Sequence, residues 1–392
     1  MKYLITALIS IFAFNANLLS QNSIDKVLTM VEQNNTSLLA MRKGVDADKI
    51  GNKTGIYLEN PEFEFHYLWG KPSELGKRKD FSITQSFDFP SAYKFKNQIS
   101  DIRNEQVELE YQKQRLTLLF ETRSICIDMV YQNALKAEIS KRLSHAQNIA
   151  KSYKSKFDSG EANILEYNKA QLNALNLGKE LELIEIERDV LLGELAEMNG
   201  GKKVDLVDSV FQTAVVPVDF EQWYVQAEQN NPLLNWLRHE IDLSQKDEKL
   251  QKAMSLPKLH AGYMSEKILD ETLQGITVGL SIPLWENKNT VKYARANTAA
   301  MQSRAHDSKL RVYNHLKTLH SKAVSLQKSA GDYRSSLQLY SNADLYQLAL
   351  DKGEISLIEY ILEFAIYYES FNKLLELERE MHLTIAELNQ YL

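Results

Sequence analysis

The stretch that decides the fold is Lys156 to Tyr167, KFDSGEANILEY, because it returns as ALDKGEISLIEY at Ala349 to Tyr360. The two copies are 193 residues apart. At the same spacing, Phe81 to Pro90 (FSITQSFDFP) falls on Gln274 to Pro283 (QGITVGLSIP), with apolar residues in phase and the last proline matched. Two distant segments that share one spacing predict a tandem duplication, with units far longer than the 20 to 50 residues of a solenoid repeat.

The composition favours long regular elements. The 392 residues include only 15 Gly and 7 Pro, the residues that most often interrupt helices and strands. Cys126 is the single cysteine, which excludes an internal disulfide framework and a multi-cysteine metal site. A mean hydropathy of -0.36 excludes a polytopic helical membrane protein. The 46 basic and 52 acidic residues form no long block of one sign, so we expect no nucleic-acid partner.

The first 20 residues are predicted to be a secretory signal. Lys2 supplies a positive charge, and the apolar run Tyr3 to Phe14 follows it. This run is shorter than the ~20 residues of a membrane-spanning helix, so we expect cleavage rather than anchoring. No cysteine follows the run, which disfavours an acylated N-terminus.

Both copies show one order of elements: an opening helical segment, two short alternating strands and a long helical hairpin. The predicted parts are the signal 1–20, a first repeat 21–200, a linker 201–219 and a second repeat 220–392. The opening helical segments are about Ser23 to Thr54 and about Phe220 to Ser255. Strands are predicted near 57–69, 80–90, 257–267 and 273–283, and hairpins over 91–199 and 287–391. The predicted fold class is therefore mainly α with a small β part.

The alternating runs have one apolar face and one polar face. In the first run, Phe63, Phe65, Tyr67 and Trp69 oppose Glu62, Glu64 and His66; in the second, Phe81, Ile83, Phe87 and Phe89 oppose Ser82, Thr84, Ser86 and Asp88. Such alternation over about 10 residues is typical of transmembrane β-strands. A half-buried sheet in a soluble protein shows the same pattern, so both interpretations stay open. In lipid, four strands would leave intolerable open edges and would have to close with other copies of the chain.

Two segments free of glycine and proline, 91–159 and 284–330, are predicted as long helices. At 1.5 Å per residue the first would be on the order of 100 Å long. Apolar residues at 3- and 4-residue spacing indicate coiled-coil seams, so each long helix should pack antiparallel on the next. The seam positions are Ile139, Leu143, Ala146, Ala150, Tyr153 and Phe157, then Leu177, Leu181, Ile184, Leu191, Leu195 and Met198, and in the second copy Leu339, Ala343, Tyr346 and Leu350.

The ends of the two hairpins carry matching turn signals. Gly160 and Gly353 are able to take the left-handed conformation that ends a helix. Three residues later, Asn163 with Glu166 and Ser356 with Glu359 have the spacing of a capping box. Both copies therefore predict one sharp reversal.

With these features the sequence resembles the TolC family of outer-membrane efflux proteins. The residues that carry the likeness are the strand runs ending in Pro90 and Pro283, the tips Ser159-Gly160-Glu161 and Lys352-Gly353-Glu354, and the duplication itself. The resemblance covers the whole mature chain. It implies a homotrimer whose strands form a 12-stranded β-barrel in the outer membrane, and whose hairpins form a coiled-coil tunnel through the periplasm.

The resemblance also implies partners and a function. They are outer-membrane lipid, a periplasmic adaptor (membrane fusion protein) and an inner-membrane RND-type pump, for which the chain would be the exit duct of a tripartite efflux system. Leu58-Glu59-Asn60-Pro61 at the first strand is similar to the CzcC and CusC branch, which serves exporters of heavy-metal cations. A periplasmic coiled-coil adaptor or scaffold without a pore is the alternative function.

In the family, the hairpin tips meet the adaptor and acidic residues beyond them line the entrance. The resemblance thus implies adaptor contacts at Ser159, Gly160, Glu161, Lys352, Gly353 and Glu354. It implies an entrance ring at Glu166, Glu359 and Glu363, although the capping boxes account for Glu166 and Glu359 without a ring. Leu362 occupies the family's second acidic position, with Glu363 beside it.

No catalytic motif is present. The sequence has no phosphate-binding loop, no G-x-S-x-G and no dinucleotide fingerprint. His66 and His260 lie on polar strand faces, but no HExxH pattern or i, i+4 histidine pair occurs. We therefore expect neither an enzyme nor a bound metal or cofactor.

Overall fold

The computed structural model describes residues 23–71, 76–268, 271–339 and 343–391, so the predicted signal 1–20 lies outside the described residues. The helices are α1 (Ser23–Asn34), α2 (Thr36–Gly51), α3 (Pro90–Asp158), α4 (Ile164–Met198), α5 (Phe220–Asn230), α6 (Pro232–Met254), α7 (Thr290–Leu339), α8 (Ala343–Asp351) and α9 (Leu357–Leu388). The strands are β1 (Glu62–Trp69), β2 (Lys77–Phe87), β3 (Lys258–Ile268) and β4 (Glu271–Ser281). Within this part of the chain, no helix combines the length and apolar character needed to cross a membrane.

The chain forms two compact units. The hairpin unit takes the described residues up to Leu39, Gln114–Ala227 and the residues from Tyr313 onward. The strand unit takes Ala40–Lys113 and Glu228–Val312. Each unit contains segments from both halves of the chain. The two repeats, by contrast, follow one another along the sequence and are defined by their sequence likeness. The units therefore do not test the repeat boundaries, which stay a prediction.

The strand unit contains one antiparallel sheet of order β1-β2-β3-β4. Its register places the apolar faces of all four strands on the same side: Phe63 lies opposite Ile83, Ile83 opposite Tyr263, and Tyr263 opposite Ile276. Because successive side chains along a strand point to opposite faces, this one row of pairs fixes the alignment of the rest. The sheet therefore has an apolar face and a mixed polar face.

Several strand boundaries differ from the prediction, among them the start of β1 and the end of β2. β1 begins at Glu62, after Pro61, which has no N–H to donate to a ladder. β2 ends at Phe87, so the expected strand position of Phe89 is wrong. The chain turns there because the Asp88 N–H donates to the Tyr93 hydroxyl at 3.0 Å and the Asp88 carboxylate pairs with Lys96 at 2.8 Å. α3 then begins at Pro90, where the missing N–H of proline costs nothing.

Each opening helical segment is two helices rather than one. Asn35 separates α1 from α2, and its side-chain oxygen accepts a hydrogen bond from the Leu38 N–H at 3.0 Å. In the other unit, Asn231 accepts from the N–H groups of Leu233 and Leu234 and caps α6, with Pro232 as the first helical residue. An asparagine cap of this kind starts a new helix and so breaks the one before it.

In the hairpin unit, α3 and α4 pack antiparallel, as predicted. Each step back along α3 meets an equal step forward along α4: Ala150 contacts Gln171, Leu143 contacts Gly178, Lys136 pairs with Glu185, and Asn133 bonds to Arg188. The predicted seam residues Ile139, Ala146, Ile184, Leu191 and Leu195 are buried. Apolar packing between the helices therefore follows the 3- and 4-residue spacing.

The second hairpin departs from the predicted seam at one end. α7 runs through Gly331 to Leu339, whose side chain is 77% exposed, so the expected seam position of Leu339 is wrong. Leu339 is the last residue of α7, and the helix that meets α9 near the tip is α8, through buried Leu350. Farther from the tip α7 pairs with α9 directly, with His315 3.1 Å from Glu387 and Lys322 bonded to Glu380.

Candidate functional site

The two hairpin ends have the same backbone geometry. At the end of α3 the Glu161 N–H donates to the Lys156 carbonyl at 2.7 Å, and Gly160 has φ of 80°. At the end of α8 the Glu354 N–H donates to the Ala349 carbonyl at 2.9 Å, and Gly353 has φ of 72°. This is the Schellman arrangement, in which glycine takes the left-handed position without a steric penalty. The predicted turn glycines are confirmed.

The helices that follow begin with the predicted capping boxes. Asn163 accepts from the Glu166 N–H at 2.9 Å, and its own N–H donates to the Glu166 carboxylate at 3.1 Å. Ser356 and Glu359 make the same exchange at 3.2 and 2.7 Å. Because the Ser356 N–H bonds to the charged carboxylate, the pKa of Glu359 is lowered.

An apolar cluster holds the two hairpin ends side by side. It combines residues of α3, α4, α8 and α9: Ala150, Tyr153, Ala170, Leu350, Leu357, Tyr360 and Phe364. The rings of Tyr360 and Phe364 lie 4.5 Å apart, and Tyr346 meets Phe364 edge-on at 5.9 Å. Both reversals are therefore fixed parts of one packed region.

The sheet presents a large exposed apolar face. Phe63 is 65% exposed, Ile276 is 83% exposed, and Phe65, Ile83, Leu259, Tyr263, Val278 and Leu280 are exposed on the same face. A patch of this size is not left open to water in a soluble monomer and marks a contact with lipid or another protein. The opposite face carries Glu62, Glu64, His66, Ser82, Thr84, His260 and Thr277.

Comparison with known proteins finds similar structures but no similar sequence family. No protein-family model matches the sequence, and no curated protein matches it either. The structure is similar to the crystal structure of CusC, which forms a transmembrane channel, with a TM-score of 0.77 and 14% identity over 94% of each chain. It is similar to the CmeC outer membrane channel of Campylobacter jejuni, with a TM-score of 0.76 and 14% identity over 94% of this chain and 85% of that one. It is also similar to the outer membrane protein VceC of Vibrio cholerae, with a TM-score of 0.72 and 12% identity over 94% of each chain.

The chain has the fold of outer-membrane channels. The TolC-type fold expected from the sequence is thus confirmed. Identities of 11 to 14% relate folds and do not identify a branch, so the likeness to the CzcC and CusC branch stays a prediction.

In this channel fold, the predicted adaptor residues are gathered at the two reversals. Ser159, Gly160, Glu161, Lys352, Gly353 and Glu354 are all exposed. The predicted ring residues lie one to two helical turns beyond: Glu359 and Glu363 are exposed and Glu166 is partly buried. Glu363 accepts a hydrogen bond from the Tyr346 hydroxyl at 3.2 Å. Adaptor contact and ring formation both stay predictions, because each involves other chains.

Sequence reasoning missed a buried arginine of the hairpin unit. Arg142 on α3 is 5% exposed and donates to the Asn372 side chain on α9 at 3.1 Å. Its ring partner Tyr368 is partly buried, and that burial raises the pKa of the tyrosine to about 12. The only sequence signal was an arginine next to the seam residue Leu143, which is usually a solvated position.

Among the described residues, no group of three His, Cys, Asp or Glu side chains is placed to hold a metal ion. Cys126 is fully buried in the apolar core with Met129 and Leu195, and burial raises the pKa of its thiol to about 12. A thiol that stays protonated and shielded is a packing residue rather than a nucleophile.

Proposed function

We propose that this chain is one subunit of an outer-membrane channel that serves as the exit duct of a tripartite efflux system. The observation that carries the proposal is the exposed apolar face of the β1–β4 sheet, on a chain with the fold of outer-membrane channels. In lipid an apolar face is stable, whereas in water it promotes aggregation.

The sheet also argues for assembly with further copies. β1 and β4 are its two edges: among the described strands, β1 pairs only with β2 and β4 only with β3. Unpaired backbone groups cost several kcal/mol each in a bilayer, and a closed barrel needs at least about 8 strands. One chain supplies four, so two copies are the minimum. The likeness to the TolC fold favours three copies and a barrel of twelve strands.

The helices offer a matching surface for neighbouring copies. Along α4, an exposed apolar stripe recurs at helical spacing: Leu172, Leu175, Leu183, Ile186 and Val190. The first of these is 57% exposed and Leu183 is 66% exposed. Such a stripe is the seam of a coiled coil that lacks its partner. A helix of the next subunit supplies the partner and extends the hairpins into a tunnel.

Cell fractionation and an unboiled gel test the proposal. We expect the protein in the outer-membrane fraction, migrating as a heat-sensitive trimer. A monomer in the soluble periplasm would instead indicate the alternative, a coiled-coil adaptor or scaffold without a pore. The predicted localisation is the outer membrane with a tunnel that extends into the periplasm.

The hairpin tips are the proposed contact for a periplasmic adaptor. Exposed Lys352, Gly353 and Glu354 form one turn, and Ser159, Gly160 and Glu161 form the other. Replacing Gly353 by Trp adds bulk at the turn, whereas Gly353→Asn keeps it small and tolerates the left-handed backbone. We expect Trp, but not Asn, to abolish copurification with the adaptor and efflux-dependent resistance. Intact copurification with the Trp variant rules out docking there.

The acidic residues beyond the tips are the proposed entrance ring. Three copies each of Glu166, Glu359 and Glu363 would surround the pore with negative charge. Glutamine also serves as the third residue of a capping box, so Glu359→Gln removes charge while keeping the helix start. We expect reduced cation selectivity and weaker block by divalent cations in single-channel recordings. Unchanged selectivity would leave Glu359 with its capping role alone.

Heavy-metal cations are the proposed cargo. Support comes from Leu58-Glu59-Asn60-Pro61 before β1 and from the net charge of -6. Gene deletion should lower resistance to copper, cobalt or zinc salts. Loss of resistance to organic drugs alone would contradict a metal cargo while leaving the channel proposal intact. An inner-membrane RND-type pump is the partner expected to select the cargo.

A further inference from the structure

A cleft of about 380 Å³ lies near the end of the second hairpin, inside the hairpin unit. Its walls come from the last turns of α7, from α8 and from α9. Three tyrosines line it: Tyr333 from α7, Tyr346 from α8 and Tyr367 from α9. The volume is within the range of sites that bind small organic molecules.

The charge of the cleft has one sign. Asp332 and Glu363 are its ionisable carboxyl groups, and the described lining contains no lysine, arginine or histidine. Neither carboxylate makes an ion pair with any described residue, whereas Glu376 and Glu378 on the same helix pair with Lys373 and Arg334. The cleft therefore combines aromatic walls with negative charge that has no cationic partner in the described chain.

One hydrogen bond orients part of the wall. The Tyr346 hydroxyl donates to Glu363 at 3.2 Å, which ties α8 to α9 across the cleft. The same contact raises the pKa of Tyr346. The ring of this neutral phenol offers its electron-rich face to a cation. Ile366, 65% exposed, adds apolar surface beside Tyr367.

We propose that this cleft binds an organic cation, namely an ammonium group that carries apolar substituents. Such a cation gains from the faces of aromatic rings and from nearby carboxylates at once, and its substituents fit the apolar wall. A divalent metal ion is a poorer match, because the described lining supplies only two carboxylates and no described cluster supplies a third ligand. The site lies within one chain and does not rest on the proposed channel function.

Ligand-observed NMR on the purified full-length protein in non-ionic detergent tests the site. The probe is choline, and the control ligand is 3,3-dimethyl-1-butanol, which has the same shape without charge. We expect saturable binding of choline and at least a threefold weaker signal from the alcohol, about the effect of one exposed cation–π contact. Equal binding of the two ligands would show an apolar groove only and would overturn the proposal.

Substitutions then locate the binding. Tyr367→Leu removes a ring and Glu363→Gln removes a charge, and each should weaken choline binding about three- to tenfold. The control is Glu369→Gln, which removes an exposed carboxylate of α9 that is not part of the described lining and should bind choline as the unaltered protein does. Unchanged choline binding in both Tyr367→Leu and Glu363→Gln contradicts the assignment. So does a site from which millimolar Co²⁺ displaces choline while Tyr367→Leu leaves choline binding unchanged.

Discussion

The guanidinium carbon of Arg142 on α3 lies 3.8 Å from the ring centre of Tyr368 on α9. The arginine is buried, and it also pairs with Glu138 at 3.2 Å and donates to Asn372. One side chain thus joins the first hairpin to the second by a cation–π contact and a hydrogen bond. A buried charge with these partners is costly to leave incomplete.

Arg142→Ala should therefore destabilise the hairpin unit by about 3 kcal/mol, because Tyr368, Glu138 and Asn372 lose their shared partner inside the protein. Arg142→Lys should recover only part of this, since an ammonium does not stack on a ring as a planar guanidinium does. Thermal unfolding followed by circular dichroism measures the effect, with exposed Lys141→Ala as the matched control. Equal midpoints for Arg142→Ala and Lys141→Ala would contradict a structural role for the arginine.

The capping box at Ser356 should govern the stability of the first turn of α9. Ser356→Ala leaves the Glu359 N–H without its acceptor, which should cost about 1 kcal/mol. Hydrogen exchange across residues 357–361 should accelerate accordingly. Ser335→Ala, in the last turns of α7, is the control, because its hydroxyl donates to the Gly331 carbonyl within the same helix. No faster exchange in Ser356→Ala would mean that the cap is not formed in solution.

His382 should make stability depend on pH. Burial, with a smaller effect of the nearby Arg334 charge, lowers its pKa from 6.5 to about 4. The unfolded chain therefore binds the proton more tightly, and stability falls as the pH drops from about 6.5 to about 4. The loss amounts to about 3 kcal/mol once the pH is below both pKa values.

Replacement by phenylalanine isolates this effect, because a planar ring still stacks on Phe211, whose centroid is 4.7 Å from that of His382. Denaturant midpoints at pH 7 and pH 4.5 should differ less for His382→Phe than for the unaltered protein. Exposed His306→Phe serves as the control and should keep the full pH dependence. If the stability of His382→Phe depends on pH as much as that of the unaltered protein, other titratable groups cause the pH dependence.

A side chain at Gly279 should perturb the sheet, because the imidazole of His260 on β3 lies against this glycine. A methyl group at Gly279 would come 2.7 Å from Cε1 of His260, while one at Gly275, on the same face of β4, meets nothing within 4 Å. Gly279→Ala should thus cost about 1 to 3 kcal/mol through overpacking and reduce the oligomer band on an unboiled gel. Gly275→Ala should leave the band unchanged.

Shortening the histidine tests the cause. The double variant Gly279→Ala, His260→Ala should restore the oligomer, since the clash needs both side chains. If Gly279→Ala assembles normally, or if the double variant stays defective, the contact between Gly279 and His260 does not limit assembly.

Local chemistry explains which features were predictable from sequence. Gly160, Gly353 and the caps Asn163 and Ser356 act within a few residues of themselves, so their roles follow from spacing alone. The period-2 alternation likewise predicted the two faces of the sheet before its register was known.

Features that depend on distant partners escaped the sequence. The side chain that breaks the helix at Asn35 combines its local cap with a distant contact, because its amide also donates to the Met198 carbonyl at 2.8 Å. Burial of Arg142 requires Asn372 and Tyr368 from the other hairpin. Leu339 is exposed at the end of α7, and near the tip α8 rather than α7 packs on α9. No periodicity within one helix contains this information.

The central claim is that several copies of this chain close their sheets into one pore. The most direct test is electrical recording of the purified native oligomer in a planar lipid bilayer, with heat-dissociated protein as the control. We predict stepwise, long-lived ion conductance from the oligomer and none after dissociation. A stable oligomer that inserts into the bilayer without conducting, or a protein that remains monomeric and does not insert, would contradict the account.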